Sequence, residues 1–194
     1  MRTCVIIIAA LSLMVCAGCR DEQAGEASAD DTDPATAFTL TSSAFVEGQA
    51  IPKKHAQEPE GENVSPALAW TNAPDGTVSF AMIVDDPDAP SARNPRPEGP
   101  WVHWVVPVIA STDASLAEGY GNGDVPDQGT NDSGSVGYAG PLPPKGSGVH
   151  RYVFTLYALD ATLNVGPGAT KADVVTAING HVLATAVLTG TYQR

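Results

Sequence analysis

The sequence predicts a mostly β protein with one or two helices, its strands stacked as a sandwich. Three observations carry that expectation. Nineteen glycines and sixteen prolines in 194 residues favour short strands joined by turns over long helices. Three apolar runs have strand length and a β-branched, aromatic composition: VSFAMIV (Val78–Val84), WVHWVVPV (Trp101–Val108) and RYVFTLYAL (Arg151–Leu159). The closing segment, Ala184 to Tyr192, alternates Ala184, Ala186, Leu188, Gly190 and Tyr192 with Thr185, Val187, Thr189 and Thr191, the period of a final strand. Strands of this kind bury their apolar faces by stacking sheet on sheet.

Taken from the start, the chain opens MRTCVIIIAALSLMVCAGC. Arg2 is a short positive region, and Thr3 to Val15 is an uncharged apolar run too short for a comfortable membrane span and long enough for a secretory signal. Cys16-Ala17-Gly18-Cys19 resembles the bacterial lipobox, departing from it at Cys16, where Leu is usual. Residues 1–18 are thus predicted to be a lipoprotein signal peptide, with Cys19 the lipidated residue; an ordinary signal peptide or an anchor helix is the alternative. All three cysteines lie in these nineteen residues, so no disulfide is expected in the domain. Residues 19–37, small and acidic, read as a flexible tether with a reach of about 20–25 Å. The expected location is the bacterial envelope, membrane-anchored through the lipid and facing the periplasm or the exterior.

The domain is predicted over residues 38–194. Phe38–Thr41 alternates and can be a first strand. Lys53 to Asn63 is polar and reads as a loop, with Lys53-Lys54-His55 a small solvated basic spot. After the strand Val78–Val84 comes a Pro-rich link, then the strand Trp101–Val108. Ser111 to Gly137, rich in Gly, Asp and Asn, reads as a long surface excursion of the kind that often carries function. Thr170-Lys171-Ala172-Asp173 fits a capping box, predicting a helix from Lys171 to Leu183 before the last strand. The net charge of −12 and pI near 4.4 argue against a nucleic-acid partner, which would need clustered Lys and Arg.

Three segments set polar groups beside apolar strands. In DPDAP (Asp86–Pro90) the carboxylates Asp86 and Asp88 directly follow a buried strand, on a turn stiffened by proline; a solvated turn is the plainer reading. In WVHW (Trp101–Trp104), alternation puts His103 on a face with Trp101 and Val105, and Val102 on the other with Trp104 and Val106; a satisfied core histidine is the competing reading. In GPLPPKGSGVHRY (Gly140–Tyr152), His150 begins a face shared with Tyr152, Phe154 and Leu156. Gly146 and Gly148 leave backbone amides approachable, as in an anion nest, and Pro141, Pro143 and Pro144 stiffen the rim; a rigid connector would look similar. Two imidazoles, two carboxylates and a Gly-rich rim together suit a small zwitterion or a phosphate ester.

These segments, with ENVSPALAW (Glu62–Trp70) and GHVLATAVLTGTYQR (Gly180–Arg194), resemble the phosphatidylethanolamine-binding protein family in its bacterial Raf-kinase-inhibitor-like branch, over essentially all of Phe38 to Arg194. The resemblance implies an antiparallel β-sandwich with peripheral helices, one of them near the C-terminus. It also implies a small surface pocket for phosphate-like groups, including phospholipid headgroups. Carried over by position, Asp86, Asp88, Pro90, His103, Pro144, His150 and Tyr152 would line that pocket, with Gly146 added from the loop reading. Residues 92–100 and 121–136 look individual to this chain, so ligand identity does not transfer.

The leading expectation is a binding module for a small anionic or phosphorylated ligand, without cofactor or metal. An interaction protein that modulates or inhibits an envelope enzyme or signalling protein, through a partner not yet identified, is the alternative. Catalysis ranks last. Asn131-Asp132-Ser133-Gly134-Ser135 lacks the elbow of a serine hydrolase. His–Asp acid–base chemistry has no evident nucleophile, and no metal-binding spacing is present.

Overall fold

The computed structural model describes residues 36–91, 93–94, 96–122 and 128–194. The predicted signal peptide, Cys19 and the tether up to residue 35 lie outside these. Among the described residues, no helix is long and apolar enough to cross a membrane.

Seven strands form two antiparallel sheets. β1 (Thr39–Ser42), β2 (Leu68–Thr71) and β5 (Ser115–Leu116) make the smaller, in the order β1-β2-β5. β3 (Ser79–Asp86), β4 (Trp101–Ala110), β6 (His150–Leu159) and β7 (Val182–Tyr192) make the larger, in the order β4-β3-β6-β7. The sandwich and its four main strands are as expected. β5 falls in the segment expected to be a surface excursion, and β2 in a stretch for which the sequence predicts no element.

The larger sheet has a core on each face. Phe80, Met82 and Val84 of β3, with Tyr152, Phe154 and Leu156 of β6, pack against Leu40, Leu68 and Trp70 of the smaller sheet. Ala81 and Ile83 of β3 face the other way, with Val105, and are covered by Leu163, Val174 and Ile178. Burial on both faces explains why β3 reads as a continuous apolar run instead of an alternation.

The second core is closed by helix α1 (Lys171–Ala177). Its capping box is present: the Thr170 hydroxyl accepts from the Asp173 amide, and the Asp173 carboxylate accepts from the Thr170 amide. The helix stops well short of Leu183. Gly180, at φ +84°, turns the chain, and Val182 already pairs with Leu159 of β6. Pairing with β6 outweighs the helical spacing of the Ile178–Leu183 stretch.

β4 carries two bulges. Phe80 pairs with Ile109 but Met82 with Val106, so one residue of Pro107–Val108 is extra; proline without its amide is tolerated there, on an edge strand. Val84 pairs with Trp104 but Asp85 with Val102, which leaves His103 without an opposite number. This corrects the predicted faces. Val102 joins Val105 in the helix-side core, while Trp104 and Val106 lie in the other. The extra residue resets the alternation, and His103 points with Tyr152, the two rings meeting edge to face at 5.0 Å.

The polar segments are also tighter than expected. Lys53–His55 forms a 3-10 turn. His55 is not solvated: its ring is buried with Nδ1 2.7 Å from the Val64 carbonyl oxygen. In the long excursion Gln128 is buried, its carbonyl accepting from the Trp104 indole at 2.6 Å and its amide donating to the Tyr120 carbonyl.

Candidate functional site

Because β3 runs antiparallel to both β4 and β6, the end of β3 lies beside the beginnings of β4 and β6. Asp86, His103, His150 and Tyr152 therefore converge at one end of the larger sheet. They form the floor of a cavity of about 450 Å³, a size suited to a small ligand. Ala89 and Pro90 form one wall, Leu142, Pro143 and Pro144 another, and Trp101 a third. Gln57, Arg96 and Ser133 complete the rim.

Asp86 and Asp88 do not stand on one stiff turn. Asp86 is the last residue of β3 and is buried. One of its oxygens accepts from the Asp88 amide at 2.8 Å, and the other lies 2.7 Å from Nδ1 of His150. Asp88 turns away from the cavity. Its carboxylate takes the Arg151 guanidinium at 2.8 and 2.9 Å and the Arg151 amide at 3.0 Å. Arg151 holds the Asp88 carboxyl below the usual carboxylate range. Asp88 was expected in the pocket; it is instead a clamp between the DPDAP turn and β6, because Arg151 alternates against His150 and faces the other side of the strand.

Gly146 is likewise absent from the lining, and its amide donates to the Arg194 carbonyl at 3.3 Å. The loop reaches the site through Ser147 instead, which the sequence reading passed over. The Ser147 hydroxyl is 2.7 Å from the Pro144 carbonyl oxygen and 2.9 Å from Nε2 of His150. A carbonyl only accepts, so the hydroxyl proton points to Pro144 and the Ser147 oxygen accepts from Nε2–H of His150. With Nε2 protonated, the contact between Nδ1 and Asp86 holds one shared proton.

The remaining two floor groups are His103 and Tyr152. Nδ1 of His103 donates to the Ala139 carbonyl at 2.6 Å. Burial pushes the His103 imidazole below its ordinary value, against the opposing pull of the Ala139 carbonyl and of Asp86 and Asp132. Nε2 is then the acceptor of the ring, and the Gly140 backbone also lies beside His103. Burial, reinforced by the nearby Asp86 charge, pushes the Tyr152 phenol well above its ordinary value. Its hydroxyl is buried beside the Asp86 carboxylate, without a hydrogen bond of ordinary geometry among the described residues. An unused buried donor is costly, and this one borders a cavity.

Arg96, also unanticipated, is the only permanent cation among the described residues of the lining. It stacks over the Trp101 ring at 4.9 Å and pairs with Asp132 at 2.5 Å. A clue lay in the sequence, where Arg96 stands in the Pro-rich link already noted as individual. Ser133 lies at the rim, but its hydroxyl donates to the Asn131 side chain, not to a histidine. Pro90, Pro144, His103, His150 and Tyr152 all line the cavity.

A two-sheet antiparallel sandwich with a small, partly polar pocket at one sheet end defines a class of ligand-binding domain. The chain belongs to the phosphatidylethanolamine-binding protein family, whose model matches residues 41–193. A UPF0098 protein of Methanothermobacter thermautotrophicus is 46% identical over 161 residues, covering 81% of this chain and 99% of that protein. The crystal structure of a phosphatidylethanolamine-binding protein homologue, CT736 of Chlamydia trachomatis, superposes with a TM-score of 0.72 at 40% identity, over 82% of this chain and 99% of that one. A Mycobacterium tuberculosis protein carrying the lipoprotein name LppC is 39% identical over 170 residues, covering 84% of this chain and 78% of that protein.

Proposed function

We propose that this protein binds a small ligand bearing a phosphoryl or similar oxyanion group, and that a lipid on Cys19 holds it at the cell envelope. The observation that carries the first part is the Tyr152 hydroxyl, a donor buried at the cavity floor beside Asp86 without a hydrogen bond of ordinary geometry among the described residues. A ligand oxygen there would satisfy it. Trp101 and the proline walls offer apolar surface to the rest of the ligand. A binder fits better than a hydrolase: the Ser147 hydroxyl is turned to the Pro144 carbonyl, so His150 is not placed to take its proton.

Calorimetry with phosphoethanolamine tests the pocket. Tyr152→Phe removes one hydrogen bond to a charged group and should weaken binding about tenfold or more. Unchanged affinity in that variant would refute the assignment. The lipid anchor is supported by the cysteine that ends the signal-like segment and by the lipoprotein name of the mycobacterial relative. Cys19→Ala should abolish incorporation of labelled palmitate and release the protein from the membrane fraction; continued labelling would refute Cys19 as the site.

A further inference from the structure

β6 runs from one end of the larger sheet to the other. His150, its first residue, lies at the pocket. Ala158, near its last, pairs with Phe80 at the start of β3. The N-terminal side of the chain joins the domain at this second end. Phe38 stacks on Phe80 with ring centroids 6.0 Å apart. The Ala37 carbonyl accepts from the Asn72 side chain at 3.1 Å, and Thr39 pairs with Thr71. These contacts fix the point from which a tether leaves, and it is the end of the sheet remote from the pocket. The ten residues of β6 span about 30 Å. The tether predicted over residues 19–37 has a reach of about 20–25 Å. Bringing the pocket onto the anchoring bilayer would require the domain to turn over and the tether to be drawn out along it. Charge does not force that turn. The strand ends near Phe38 carry Asp75, Asp113 and Asp160, with no lysine or arginine among the described residues there. Anionic headgroups repel such carboxylates strongly only within about 8 Å, the Debye length at physiological ionic strength, which is less than the tether's reach.

We propose that the pocket opens away from the membrane that anchors the protein, and that its ligand arrives from the aqueous phase and not from that membrane's own headgroups. The inference rests on both parts of the proposed function, the lipid on Cys19 and the ligand pocket, and adds the direction from which the pocket is filled. A phospholipid of the anchoring bilayer would have to leave it entirely to reach the far end of the domain, exposing its acyl chains to water. A soluble ligand meets no such barrier.

The test uses the full chain, purified from membranes and reconstituted into vesicles of phosphatidylethanolamine and phosphatidylglycerol. All three cysteines lie at or before Cys19, so a cysteine introduced into the domain can be labelled by itself. Asp75→Cys and Lys145→Cys, both at exposed positions, mark the tether end and the pocket end. Energy transfer from a thiol dye to a rhodamine-labelled lipid reads the distance of each from the bilayer. The label at position 75 should lie nearer than the label at position 145, by up to about 30 Å, the length of β6. Equal distances, or the reverse order, would overturn the inference. Calorimetry supplies the second reading. Added phosphoethanolamine should bind the vesicle-held protein as tightly as it binds Cys19→Ala in solution. Weaker binding on the vesicles would show the bilayer's headgroups competing for the pocket, and would overturn the inference as well. Protein that carries no lipid and stays in solution would refute the anchor, and Cys19→Ala that binds no phosphoethanolamine would refute the oxyanion site. Either result would remove the inference along with its footing, and neither resembles a reversed distance.

Discussion

Asp86 and His150, 64 positions apart in the chain, meet at 2.7 Å with both side chains buried. The contact ties the end of β3 to the start of β6 at the floor of the pocket. Each partner has a further fixed contact, the Asp88 amide for Asp86 and the Ser147 hydroxyl for His150. One pair thus orients the DPDAP turn, the Gly-rich loop and the site between them.

Asp86→Ala should be strongly destabilising. It strands a buried imidazole and an amide, and removal of one member of a buried pair costs about 3–5 kcal/mol. Urea denaturation measures this, and a change below about 1 kcal/mol would mean that the pair is dispensable to the fold. Ligand binding should be lost as well.

Asp88→Asn should separate structure from binding. Arg151 is more than half exposed, so after solvent screening its pairing with Asp88 is worth about 1 kcal/mol. Binding of phosphoethanolamine should persist. Since Arg151 depresses the Asp88 carboxyl in the folded state, the stabilisation is fully present above the unfolded value of 3.8 and fades as pH falls through the lower folded one. The stability gap between parent and variant should therefore be full at pH 5–7 and close in stronger acid. Loss of ligand binding in Asp88→Asn would count against its role as a clamp remote from the ligand.

His103 has the opposite ionisation sense, and its pH window is higher. Burial lowers its folded value below the ordinary 6.5, so the unfolded chain takes up the proton first. Its contribution to stability is complete above 6.5 and is lost as pH falls from there through the folded value. Melting temperatures measured from pH 7.5 to 5 should decline more steeply for the parent than for His103→Gln. Parallel curves would show that the imidazole is no more buried than in the unfolded chain.

Gly190→Ala should disturb the packing of β7 where it pairs with Tyr152 of β6. A Cβ there would lie 2.5 Å from Cγ1 of Ile51 and 2.8 Å from the Phe45 ring. Phe45 in turn packs on Phe154 at 5.6 Å. Overpacking of this kind costs about 1–3 kcal/mol, measurable as a lower urea midpoint with unchanged slope. A neutral result would mean that the 45–51 segment moves aside freely.

The strands that carry the site were legible because their burial is written in composition. β3, β4 and β6 are long and apolar enough to need two cores, and His150, Tyr152 and Phe154 do share a face. β2 was not legible, since four residues, LAWT, give alternation too little length to register. The early end of α1 was hidden because Ile178 to Leu183 is compatible with helix, and only the partner strand β6 decides otherwise. The division of labour between Asp86 and Asp88 was partly readable. Alternation already places Arg151 on the face opposite His150, away from the pocket. Ser147 and Arg96 were missed because a single serine or arginine in a loop has no periodicity to betray it.

The bulge at His103 has a consequence for how such a pocket can be gained or lost. Its ring faces the cavity because β4 holds one residue more than β3 requires between Trp104 and Val102. Deleting a single codon there would straighten the ladder, seal the end of the sheet with ordinary apolar pairs, and erase the acceptor without altering any other side chain. The shape of this cavity is thus inherited partly as a number, the count of residues along an edge strand. A substitution scan would pass over that determinant, and an insertion–deletion scan would find it.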